Sequence, residues 1–308
     1  MTWQTAVDQP DELGESPFWH LDEQLLYWVD IPGRKLHRAD VAARSVESWA
    51  MPSDPGCVAP ARTNGVCTGL VIALRDGIYR ARRWGGPLEL LAPAPHDPAT
   101  MRFNDGKADP VGRFWAGTMY EPRDAAKAGL FSLDRRGGIA PEIEFKTGNA
   151  VIANGLAWSP DATTVYWADT PSHAVRAWDW NADTNALRRE RIFFQWPEKP
   201  EDWQPGLDGY QGRPDGAAVD VQGNYYVAMY EGARLLKLSP AGELLADIAV
   251  PAQCPTMPCF GGSDLKTLFL TTARHQRPAA ESQKYPDSGS VFWMRVDVPG
   301  LPVNFFRD

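Results

Sequence analysis

Apolar and polar positions alternate along this chain in short runs, and one compound pattern returns six times. A polar or glycine position opens a brief apolar stretch. A turn rich in Asp, Gly or Pro follows, and then a second stretch dense in aromatic and β-branched residues. Gly14-Glu15-Ser16-Pro17-Phe18-Trp19 leads in this way to Leu25-Leu26-Tyr27-Trp28-Val29-Asp30. Asn64-Gly65-Val66 leads to Gly69-Leu70-Val71-Ile72-Ala73-Leu74, and Asn104-Asp105-Gly106-Lys107-Ala108-Asp109 to Gly112-Arg113-Phe114-Trp115-Ala116-Gly117-Thr118. The later copies open at Asn154-Gly155-Leu156-Ala157-Trp158, Asp215-Gly216-Ala217-Ala218-Val219-Asp220 and Gly261-Gly262-Ser263-Asp264.

Each unit reads as an antiparallel hairpin, and further short strand-like runs follow it. A lone hairpin cannot bury its faces, whereas six packed face to face can. Recurrence at about 40 to 60 residues is the spacing of four-stranded propeller blades. The pattern predicts an all-β fold, a six-bladed β-propeller with four-stranded antiparallel blades, as a single domain over residues 1–308. No stretch shows the period of an amphipathic helix. Residues 196–213, rich in Pro, Gly and polar side chains and carrying Trp203 and Tyr210, read as a long loop, either a lid that overhangs the site or a surface excursion. Thirteen Trp suit such a fold, because aromatics favour pleated surfaces.

Charge removes several classes of function. A net charge of −8 disfavours nucleic acid and anionic membrane surfaces as partners, since both call for clustered Lys and Arg. The first residues lack the basic and apolar regions of a signal peptide, and no apolar run approaches a membrane span. A cytoplasmic protein is expected, with a monomer as the default for a closed ring. Cys57, Cys67, Cys254 and Cys259 are expected as free thiols, with a Cys254–Cys259 disulfide only under oxidising conditions.

The innermost strand of each blade lines the central channel, so residues just before it point to one mouth. Glu15, Asn64, Asn104 with Asp105, Asn154, Asp215 and Gly261 share this phase in the reading above. Five of these six positions bear a side-chain oxygen. Asn-Gly and Asp-Gly also make ordinary turns, but Glu15 is no turn former. With no His or Cys in phase, a thiolate or imidazole zinc site is disfavoured. Oxygen-only ligation favours Ca²⁺, Mg²⁺ or Mn²⁺.

The chain resembles the family of senescence marker protein, regucalcin and gluconolactonase. Arg102-Phe103-Asn104-Asp105-Gly106-Lys107-Ala108-Asp109, continuing to Met119, is similar to the central signature of that family. Gly14-Glu15-Ser16-Pro17 with Val29-Asp30-Ile31-Pro32, then Asn154-Gly155-Leu156-Ala157-Trp158-Ser159, Pro214-Asp215-Gly216 and Cys259-Phe260-Gly261-Gly262 resemble its other motifs in order, over residues 14–297. The resemblance implies one catalytic divalent ion at the channel mouth, held by Glu15, Asn154 and Asp215. Ca²⁺ leads, with Mn²⁺, Mg²⁺, Zn²⁺ or Fe²⁺ as alternatives. It also implies sugar contacts from Arg102, Asn104 and Glu121, and a sugar lactone as the small-molecule partner.

The expected reaction is hydrolysis of an aldonolactone, with the ion polarising the carbonyl and Asp215 assisting the attack of water. Two alternatives stand beside it: a promiscuous esterase or phosphotriesterase on the same site, and a non-enzymatic calcium-binding regulatory protein. His20, His37, His96, His173 and His275 fall off the ring phase and are expected on loops or the surface. Lys107 is expected solvated or in a salt bridge, and Asp105 in a supporting or turn role. Neither a Gly-X-Ser-X-Gly elbow nor a phosphate-binding glycine loop occurs.

Overall fold

The computed structural model describes residues 2–7, 9–138, 140–205, 207 and 209–308. The alternating pattern forms six small sheets, each made of strands that follow one another antiparallel. Blade 1 runs Gly14–His20, Leu25–Asp30, Lys35–Asp40 and Ser45–Ala50. Blade 2 runs Pro55–Thr63, Val66–Leu74, Gly77–Ala81 and Leu88–Pro93. Blade 3 runs Met101–Ala108, Phe114–Tyr120, Ala128–Asp134 and Glu142–Ala150. Blade 4 runs Ala153–Trp158, Thr164–Asp169, Ala174–Asn181 and Ala186–Gln195. Blade 5 runs Arg213–Val219, Tyr225–Tyr230, Arg234–Leu238 and Leu244–Ala249. Blade 6 runs Cys254–Gly261, Thr267–Ala273 and Phe292–Arg295, and takes its outermost strand, Gln4–Thr5, from the other end of the chain.

Burial falls from the channel outward. The second strand of blade 3 is buried throughout, whereas the outer strand Ser45–Ala50 has no buried residue. The second strands, packed against a neighbouring blade on both faces, carry near-continuous apolar runs, whereas outer strands can carry charge. Six apolar clusters sit one between each pair of neighbouring blades. The tryptophans concentrate between blades 3 and 4. There Trp115 meets Trp158 edge-on at 5.6 Å and Trp180 at 6.2 Å.

Two devices close the ring. Gln4 and Thr5 pair with Trp293 and Phe292, which joins the two ends of the chain inside blade 6 and covers its edge. The C-terminal tail then crosses the channel at the end where the inner strands finish. Leu301 N–H donates to Val219 O at 3.1 Å, and Asn304 Nδ2 to Ala108 O at 3.2 Å. Phe306 and Arg307 pair in parallel with Ala61 and Arg62, adding a fifth strand to blade 2.

Every inner strand breaks register near its start. The breaks fall between Glu15 and Phe18, Pro55 and Cys57, Asn104 and Gly106, Asn154 and Ala157, Pro214 and Ala217, and Pro255 and Pro258. A bulge re-aims side chains, and six in phase turn the strand openings toward one mouth. This corrects the sequence reading at two positions. Asn64 (φ 52°) and Gly65 (φ 80°) form the exposed two-residue turn after the inner strand of blade 2, not its opening. Gly261 ends the inner strand of blade 6, where a Cβ would strike Trp19 and Phe269. The equivalent openings are Pro55-Gly56-Cys57 and Pro255-Thr256.

Other expectations also change. A six-residue helix, Ala279–Lys284, is present although no helical period marks it; one and a half turns are too short to show one. His20, His37 and His173 are buried rather than on the surface. His37 Nε2 lies 3.2 Å from Asp11 Oδ1 in the packing between blades 6 and 1. All four cysteines are free. Among the described residues no helix is long and apolar enough to cross a membrane.

Candidate active site

The strand openings of blades 1, 3, 4 and 5 surround a cavity of about 790 Å³ at the channel mouth. Glu15, Arg102, Asn104, Glu121, Asn154 and Asp215 all line it. Blades 2 and 6 bring no carboxylate or amide from their openings. Thr256 donates its hydroxyl to Gly14 O at 2.6 Å and so braces blade 1.

Glu15 and Asp215 are 3% and 6% exposed, and Asn154 is 3% exposed. Burial, and then the charges of Asp215 and Asp105, push the Glu15 carboxyl well above the usual carboxylate range. Burial and then the charge of Asp105 do the same to Asp215. Asp105, in the bulge of blade 3, accepts the Leu156 N–H on Oδ2 at 2.9 Å, while its Oδ1 is buried with no partner. Crowded buried carboxyls with an unpartnered oxygen favour a cation beside them. The donors at hand, two carboxylates and an amide oxygen, suit a hard divalent ion that keeps its other positions for water or substrate. Among the described residues no three His, Cys, Asp or Glu side chains cluster as a ligand set, so the amide is needed to complete this one.

A directed hydrogen-bond chain fixes the donors. Arg102 NH1 donates to Asn104 Oδ1 at 2.7 Å, and Asn104 Nδ2 donates to Asn154 Oδ1 at 3.0 Å. Asn154 Nδ2 donates to Thr170 Oγ1 at 2.8 Å, and Thr170 Oγ1 to Pro214 O at 2.8 Å, next to Asp215. The amide of Asn154 is thereby oriented with its oxygen toward Asn104 and one lone pair left over. Thr170 had no signal in the sequence beyond lying after a blade strand.

Charged walls rise on two sides. On one, Arg75 makes paired hydrogen bonds to Glu121 at 2.8 and 2.9 Å and also binds Asp54 at 2.7 Å. The Arg75 hydrogen bonds hold the Glu121 carboxyl below its usual range although burial opposes this. Arg102 Nε lies 4.0 Å from Glu121. On the other wall, Glu231 meets Lys199 at 3.0 Å, Arg213 at 3.3 Å and Arg277 at 2.9 Å. None of Arg75, Glu231 and Arg277 was legible as a site residue. They come from the turns and loops that follow second strands, outside the recurring phase.

The segment 196–213 packs onto the second wall. Trp196, Trp203 and Tyr210 are buried, and Tyr210 Oη and His173 Nε2 share a hydrogen bond of 2.6 Å. His275 lies on the cavity rim, which its sequence context did not show. Lys107 is half-buried and, among the described residues, forms no salt bridge: its ammonium donates to the Ala217 carbonyl inside the channel. Below it a second, mainly apolar cavity of about 300 Å³ extends to Leu301 and Val303 of the tail.

A six-bladed ring with buried oxygen donors converging at one channel mouth defines a propeller protein with a cation-suited polar pocket. Residues 13–274 match the family described as SMP-30/Gluconolactonase/LRE-like region, and the chain belongs to it. It is 40% identical to a 6-deoxy-6-sulfogluconolactonase of Pseudomonas putida, covering 99% of this chain and 98% of the relative. It is 32% identical to a regucalcin of Danio rerio, covering 96% of this chain and 95% of the relative. Among solved structures, a calcium-binding regucalcin of Agrobacterium tumefaciens superimposes with a TM-score of 0.87 at 24% identity, covering 99% of this chain and 97% of that one. With lactonases so named among close relatives, the chain is an enzyme.

Proposed function

We propose that this protein hydrolyses a sugar lactone of the aldonolactone class to the aldonic acid, using one divalent ion on Glu15, Asn154 and Asp215. The observation that carries this reading is the convergence of three buried oxygen-bearing side chains, Glu15, Asn154 and Asp215, from three blades on the floor of a polar cavity. The lactonase name of the 40% identical relative supports the substrate class and brings sulfonated aldonolactones into it.

When bound, the ion would polarise the lactone carbonyl and offset the charge that develops on its oxygen. Asp215 takes a proton from the attacking water as the water oxygen bonds to the carbonyl carbon. The ring C–O bond then breaks, and the proton passes to the ring oxygen, which leaves as a hydroxyl. Arg102 and Asn104 hold sugar hydroxyls, and Glu121, braced by Arg75, accepts one. An esterase or phosphotriesterase for apolar substrates would call for an apolar cavity, whereas this one is ringed by charged and amide side chains.

The test is pH-stat hydrolysis of a panel of aldonolactones after chelation, with Ca²⁺, Mn²⁺, Mg²⁺ or Zn²⁺ restored singly. Turnover that vanishes with chelator and returns with an ion is expected. Turnover on aryl esters alone would move the reading to an esterase, and ion binding without turnover on any substrate would move it to calcium binding. Exchanging residues 196–213 for a short turn is expected to change the order of preference among lactones by about tenfold, because the segment supplies Lys199 to the cavity wall. An unchanged order would remove the segment from substrate selection.

A further inference from the structure

The cavity wall is more basic than the protein that carries it. Six Arg or Lys and five Asp or Glu line the cavity, in a chain with 31 basic and 39 acidic residues. The excess is concentrated around Glu231. Lys199 Nζ at 3.0 Å and Arg213 NH2 at 3.3 Å address the same oxygen, Glu231 Oε2. Arg277, the third cation there, is satisfied elsewhere: it makes paired bonds to Glu281 at 2.7 and 2.8 Å and gives NH1 to Glu231 Oε1 at 2.9 Å.

Lys199 and Arg213 therefore share one carboxylate oxygen between two positive charges. Their remaining donors are largely unspent. Among the described residues Lys199 has no second hydrogen-bond acceptor, and Arg213 Nε is buried without any partner. Both cations are nevertheless held in place. Lys199 stands over the ring of Trp203 at 4.5 Å, and Arg213 over that of Tyr230 at 5.5 Å. Their side chains are 30% and 19% exposed, so a ligand in the cavity can reach them in partly desolvated surroundings. The opposite wall differs. Arg75 spends its donors on Asp54 and Glu121, and Arg102 spends NH1 on Phe103 O and Asn104 Oδ1.

Fixed, half-buried cations with free donors beside a reaction centre are an anion site. We propose that Lys199 and Arg213 bind an anionic group (sulfonate, phosphate or carboxylate) carried by the lactone away from its reacting carbonyl, so that the protein selects charged over neutral sugar lactones. This rests on the lactonase reading above. It makes segment 196–213 the specificity element of the site, through charge rather than shape.

The experiment compares kcat/KM for gluconolactone with that for its 6-deoxy-6-sulfo and 6-phospho derivatives and for glucarolactone, on the metal-restored protein. At least one charged lactone is expected to exceed the neutral one by tenfold or more, and the best of the three identifies the anion. Lys199→Met is expected to lower that charged-to-neutral ratio by about tenfold, with Lys199→Arg keeping most of it, and Arg213→Gln to lower it likewise. Raising the ionic strength on the unaltered protein is expected to depress turnover of the charged lactone selectively, which needs no variant to fold. Equal or better turnover of the neutral lactone, or a ratio unmoved by Lys199→Met and by salt, would overturn the anion site and leave the lactonase standing. No turnover of any lactone would bring down both.

Discussion

Glu15→Gln and Asp215→Asn are each expected to lower lactone turnover by about 10³-fold or more, the several kcal/mol that a carbonyl-polarising ion contributes, and at the same time to stabilise the ion-free fold. The second effect follows from burial. Burial pushes both carboxyls up, the charges of Asp215 and Asp105 add to this at Glu15, and that of Asp105 adds to it at Asp215, so either substitution removes a buried group that is costly to ionise. The melting temperature of chelated protein is expected to rise by on the order of 2 °C in each variant, and added Ca²⁺ is expected to raise that of the unaltered protein but of neither variant. A merely structural carboxylate would behave in the opposite way, since its substitution would lower the melting temperature. Full turnover by Asp215→Asn with ion still bound would remove Asp215 as the base.

Phe306→Ala is expected to cost about 3–5 kcal/mol, on the order of 10 °C in melting temperature, without touching the site. Phe306 is fully buried in the cluster between blades 2 and 3, at the end of the ring opposite the active site. The tail is also pinned by charge. Asp308 accepts from Arg80 Nε at 3.0 Å and from Thr63 Oγ1 at 2.6 Å, and Arg82 lies 3.1 Å away. Burial alone would raise the Asp308 carboxyl, but these donors outweigh it and hold it below the usual range. A carboxyl lowered on folding stabilises above its unfolded value, about pH 4, and loses that contribution as the pH falls through the folded value. Asp308→Asn leaves the buried Arg80 guanidinium hydrogen-bonded to Thr68, Leu70 and Ala81 but without its carboxylate, and is expected to cost about 3 kcal/mol at pH 7. The difference from the unaltered protein should narrow as the pH falls below the unfolded value, about pH 4. A series of thermal melts from pH 7 downward tests this; a gap equally wide throughout would show that Asp308 acts by packing alone.

The sequence by itself determined the repeat, the blade count and four of the strand openings that meet at the mouth. Glu15, Asn104, Asn154 and Asp215 were legible because a blade is a local unit: opening, bulge and hairpin lie within one short stretch, and the ring carries each opening to the same place. Local signals also misled. Asn64-Gly65 is a turn and Gly261 closes a strand, since the residues that open a propeller strand are the same small, polar residues that join two strands. The buried His37 and the short helix that presents Glu281 to Arg277 left no period to read.

Only the tertiary structure decided which side chains complete the site. Arg75 reaches Glu121 across 46 positions of sequence, and Arg277 reaches Glu231 across another 46. Charge pairs of this kind have no spacing rule; they depend on how neighbouring blades and loops stack around the channel. The same stacking brings Glu15, Asn154 and Asp215 together on one buried floor and sets Lys199 beside Arg213. Periodicity can place a strand within its blade, but what a cavity wall asks of its ligand depends on the distances between blades.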